Sequence, residues 1–68
     1  MEAAGRIVEE ILKYIKEEKS VKREDIKDKF GLEEENTEQI LKFLAKLKLI
    51  GEDNQIKITE LGRGFLQL

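Results

Sequence analysis

The sequence predicts a mainly helical chain with one small antiparallel β-hairpin, and three observations carry that expectation. Apolar residues recur at helical spacing from Ala3 to Leu47. Gly31, with Leu32 just beyond it, interrupts that spacing and turns one helix into another. At Leu49-Ile50 the apolar period changes from helical to that of a strand. The expected order is helix, very short strand, helix, helix, strand, strand, helix. Residues 1–68 read as a single domain, since 68 residues give one small core.

The first helix is expected over Ala3 to Lys16, with Ala3, Ala4, Ile7, Val8, Ile11, Leu12 and Ile15 on its inward stripe. Lys19-Ser20-Val21-Lys22 breaks that pattern, with Val21 the inward residue of a short strand. Arg23 to Phe30 reads as the second helix, with Ile26 and Phe30 four apart on one face. Gly31 suits the left-handed residue past a helix end, and Leu32 supplies the apolar contact that accompanies it.

The third helix is expected from about Glu34 to Lys48, with Ile40, Leu41, Leu44 and Leu47 on its buried side. Glu33, Glu34 and Glu35 complement the positive end of its dipole, and Lys42, Lys46 and Lys48 the negative end. Leu49-Ile50-Gly51 and Gln55-Ile56-Lys57-Ile58 are two strands around the turn Glu52-Asp53-Asn54. Thr59 caps a last helix from Glu60 to about Gln67, which Gly62 and Gly64 weaken by up to about 1 kcal/mol each.

Composition narrows the chemistry. The chain has no cysteine and no histidine, which removes disulfides, thiolate ligands, the usual general base and the commonest zinc ligand. An enzyme is not expected, nor any metal or cofactor. No apolar run approaches the roughly 20 residues that cross a bilayer, and the N-terminus has no leader pattern, so a cytoplasmic protein off the membrane is expected. Charged residues make up 41% of the chain, with a formal net charge of −2. A weakly acidic total counts against strong non-specific nucleic-acid binding and leaves room for a local basic patch. Lys/Glu richness without Cys or His resembles the composition of heat-adapted proteins.

The order of elements and several motifs resemble the winged helix–turn–helix family, especially the small regulators of archaea and their viruses. The inward positions of that pattern correspond to Leu32, Thr37, Leu41 and Leu44, and its Gly-Leu-Ile entry to the wing corresponds to Lys48-Leu49-Ile50. The closing ITELGRGFL is similar to its Thr-Glu-x-Gly entry to a final helix. Lys48 stands where that pattern has glycine, and Thr37 where it has an aliphatic residue. The resemblance spans nearly the whole chain and implies a DNA-binding regulator that lays its third helix in the major groove, with the wing over about 49–58. It is more specific for fold than for function, because related domains also dock proteins.

Asn36 and Gln39, three apart on the outward face of the third helix, carry amides able to pair with adenine. Lys42 and Lys46 are candidates for phosphate contact further along, as are Lys22 and Arg23 around the second helix and Lys57 in the wing. Each also has a plainer role as solvated surface. Against DNA stand Glu34, Glu35 and Glu38 at the groove-facing start of the third helix, and the acidic turn Glu52-Asp53. A carboxylate about 4–6 Å from a phosphate is repelled by roughly 1–4 kcal/mol. The alternative expectation is a protein-docking module whose acidic third-helix face meets a basic partner. Ile7, Ile11, Tyr14, Phe65, Leu66 and Leu68 are expected to form a homodimer interface on the first and last helices, because the C-terminal segment is apolar on several sides.

Overall fold

A computed structural model describes residues 2–68, with side chains described from Arg6 onward. Among these residues the chain forms α1 (Glu2–Glu18), α2 (Arg23–Phe30), α3 (Glu34–Lys46), β1 (Ile50–Glu52), β2 (Ile56–Ile58) and α4 (Glu60–Leu66). It is mainly helical with one two-stranded antiparallel sheet. The side chains of Ala3 and Ala4, placed on the inward stripe of the first helix by their spacing, lie outside the described residues.

Apolar spacing accounts for the core. Ile11, Leu12 and Ile15 enter it from α1, Ile26 from α2, and Leu41 and Leu44 from α3. Ile50, Ile56 and Ile58 close it from the sheet, with Val21 and Leu49 beside them. Full burial of one such side chain contributes about 1.5–3 kcal/mol. Ile50 pairs with Ile58 and Glu52 with Ile56 across the hairpin, and period-two alternation turns Lys57 outward between two buried isoleucines. Val21 joins the free edge of β2. Its N–H donates to the Ile56 carbonyl at 3.0 Å and its carbonyl accepts from the Ile56 N–H at 2.8 Å.

Thr37, at an inward position, is fully buried. Its hydroxyl donates to the Glu33 carbonyl one turn earlier at 2.8 Å, so the polar atom is satisfied inside the helix. The same carbonyl accepts from the Thr37 N–H at 2.9 Å.

Three helices end on left-handed residues: Lys19 after α1, Gly31 after α2 and Lys48 after α3. After α2 the Leu32 N–H reaches the Lys27 carbonyl at 3.0 Å. After α3 the Lys48 N–H donates to Ala45 and the Leu49 N–H to Leu44, both at 2.9 Å, which is the paired closure of a Schellman turn. Hence α3 stops at Lys46, two residues before the expected end. Lys48 (φ 65°) has left the right-handed region. Leu47 caps the helix and is 46% exposed, so it does not sit on the buried side where its spacing put it.

Thr59 caps α4, its side chain accepting from the Gly62 N–H at 3.0 Å and donating to the Lys48 carbonyl at 2.6 Å. Its own N–H donates to the Leu49 carbonyl at 3.1 Å. The start of α4 is thereby tied to the end of α3. Gly62 is buried there, and a Cβ would run into the Leu49 carbonyl oxygen and come within 2.7 Å of Ile58 Cγ1. A residue that reads from sequence only as a weakness of the helix is the one that lets it seat.

Candidate nucleic-acid interface

Because Thr37, Leu41 and Leu44 face the core, the 3.6-residue repeat turns Asn36, Gln39, Lys42 and Lys46 outward, and all four are exposed. Gln39, Lys42 and Lys46 line one shallow hollow of about 660 Å³ together with Ala45 and Phe43. Asn36 lies one turn earlier and does not line it. Phe43 was not singled out by spacing, yet it is 53% exposed in the middle of this face. The available signal was angular: at about 100° per residue, Phe43 is turned away from its neighbour Leu44, which points into the core.

The remaining candidates gather elsewhere. Lys22 and Arg23, at the start of α2, border an open cleft of about 510 Å³ against the hairpin turn. Glu34, Glu52 and Asp53 line that cleft too, so cations and carboxylates share one wall. Lys57 joins Lys22 around an adjoining hollow beside Asp53, Asn54 and Gln55. The Asp25 carboxylate turns back to accept from the Lys22 N–H at 2.9 Å, which starts α2 and places a negative group beside that lysine.

Arg23 lies 3.9 Å from the Glu38 carboxylate, bridging the start of α2 to the outward face of α3. Both side chains are about half exposed, so the pair contributes between nothing and about 1 kcal/mol. Its greater consequence is local neutralisation, since one candidate cation is answered by one exposed carboxylate of α3.

The residues expected at a dimer interface divide. Ile11 is fully buried against the core of its own chain and has no surface to offer a second copy, which corrects that expectation. Tyr14 is engaged by α2. Its ring meets Phe30 edge-on at 5.9 Å and 83°, and the Lys29 ammonium lies 5.4 Å from its centroid. Desolvation first, then the negative charges of Asp25 and Glu18, push the pKa of the Tyr14 hydroxyl above the usual tyrosine value. Ile7 and Leu66 are partly buried against the core, whereas Phe65 and Leu68 are exposed. Leu61, one turn before Phe65 on α4, is exposed as well.

Among the described residues no group of three or more acidic, histidine or cysteine side chains is arranged to hold a metal ion, and no helix is long and apolar enough to cross a membrane. No family model, no curated protein and no solved structure matches this chain.

Proposed function

We propose that this chain is a winged helix–turn–helix protein, a small cytoplasmic transcriptional regulator without catalytic activity that binds double-stranded DNA. In this reading α3 enters the major groove, Asn36 and Gln39 meet base edges, and Lys42 and Lys46 meet phosphates. Lys22 and Lys57, beside the hairpin, supply further phosphate contacts. Arg23 contributes only where it leaves Glu38. The single observation that carries the reading is the inside–outside division of α3. Its buried residues lock the helix to the core while an amide and two lysines stand free around one hollow.

Two copies joined through the exposed apolar residues Leu61 and Phe65 of α4 and Leu68 just beyond it place two α3 helices in successive major grooves about 34–36 Å apart. Four lysine–phosphate contacts per copy, eight in the two-copy complex, give log K against log salt a slope of roughly −7. A gel-shift titration across ionic strength, with light-scattering mass in the same buffer, tests both statements. Gln39→Ala and Lys42→Glu are expected to weaken the complex. If neither a random duplex pool nor any sequence selected from it shifts at about 50 mM salt, the DNA reading fails.

The second reading, a docking module for a basic protein, is favoured by the acidic run Glu33–Glu35 with Glu38, all of it exposed at the start of α3. Replacing Glu34 and Glu35 by lysine separates the two. Loss of a captured basic partner with gain of duplex affinity supports docking, and unchanged capture removes it.

A further inference from the structure

Lone exposed apolar residues are ordinary on protein surfaces. Phe43 differs in its company, since it stands in the same hollow as Gln39, Lys42 and Lys46. It follows Gln39 by four residues, so it is rotated by only about 40° from the amide and lies about 6 Å further along the axis. At 3.4 Å per base step, that displacement is about two base pairs. A helix presenting Gln39 to the floor of a major groove therefore presents the Phe43 ring to the same floor, about two steps away. Among the base edges there, thymine offers a C5-methyl group, the natural contact for an apolar ring.

Resting on the DNA reading above, we infer that Phe43 is a specificity-determining residue that reads a thymine methyl near the base paired by Gln39. Lys42 and Lys46 hold the flanking phosphates and set the depth of the helix. The ring is excluded from the core by the burial of Leu41 and Leu44 on the opposite side, so it is available for this contact without any rearrangement.

The test uses the full chain and duplexes selected from a random pool. Each selected duplex is also synthesised with deoxyuridine for thymidine, which removes the methyl groups and leaves every hydrogen bond in place. Fluorescence anisotropy is expected to show the wild type binding the uracil duplex about four-fold more weakly, the effect of one methyl group. Phe43→Ala, exposed and therefore expected to fold (checked by circular dichroism), binds the thymine duplex about four-fold more weakly than wild type and is indifferent to the replacement. A wild type that binds both duplexes equally, with salt-dependent binding intact, overturns the inference and leaves the DNA reading standing. A Phe43→Ala variant that stays as sensitive to uracil as the wild type overturns it too, as does one whose only defect is loss of a protein partner. Failure of every duplex at low salt overturns inference and reading together.

Discussion

At the corner between α2 and α3 the left-handed residue is Gly31, whereas at the junction between α3 and β1 it is Lys48. The corner is held by its own helix end and little else: Leu32 closes α2 onto the Lys27 carbonyl, nothing crowds Gly31, and the side-chain link across it is the long Arg23–Glu38 pair. The junction is clamped. Lys48 and Leu49 close the end of α3 through their N–H groups, Thr59 bonds both of their carbonyls, and Gly62 sits against Leu49. A lysine in the left-handed region costs on the order of 1–2 kcal/mol. Gly31 takes the left-handed conformation without strain, whereas Lys19, exposed at the end of α1 with φ 73°, takes it at a cost. Where surrounding hydrogen bonds over-determine the turn, lysine is tolerated.

The largest effect should fall on the clamp. Gly62→Ala forces a methyl group onto the Leu49 carbonyl and Ile58, and a loss of about 1–3 kcal/mol by urea denaturation is expected. A neutral result would mean that α4 is not held tightly against the junction. At the corner, Gly31→Ala leaves every contact in place but strains the backbone, and a loss of about 1 kcal/mol is expected from the same measurement. Gly64→Ala should have the opposite sign from Gly62→Ala. It lies in the same helix with open space around it, so a gain of about 0.5–1 kcal/mol is expected in thermal unfolding.

The smallest effect belongs to Lys48→Gly. Relief of the strained φ is offset by the greater freedom of glycine in the unfolded chain, and the net gain is expected to stay within a few tenths of a kcal/mol. If Lys48→Gly instead stabilises by as much as Gly31→Ala destabilises, the two helix ends are equivalent and the clamp contributes nothing to tolerating lysine.

Much of the architecture is legible in the sequence. The bounds of α2, the turn at Gly31, the inward set Ile26, Leu41 and Leu44, and the strand alternation at Ile56–Ile58 all follow from period and punctuation. Leu47 was misread because spacing continued a helix that Lys48 had already ended. Ile11 was misread as dimer surface for a related reason. Periodicity says which side of a helix is apolar, and it does not say how much of that side its neighbours cover. Of the candidate site, the outward positions of α3 were legible, because they are the complement of the buried ones. The Arg23–Glu38 pair and the grouping of Lys22 with Lys57 were not, since they join segments distant in sequence.

Sequence alone determined where helices and strands form and which side of each is apolar, because local period and turn chemistry act on neighbouring residues along the chain. Only the tertiary structure decided that Lys48 adopts a glycine-like turn, that Gly62 is required for contact, and that Arg23 meets Glu38. Each of those outcomes depends on atoms brought together by packing of separate elements, and steric fit between distant segments leaves no period for a sequence to display.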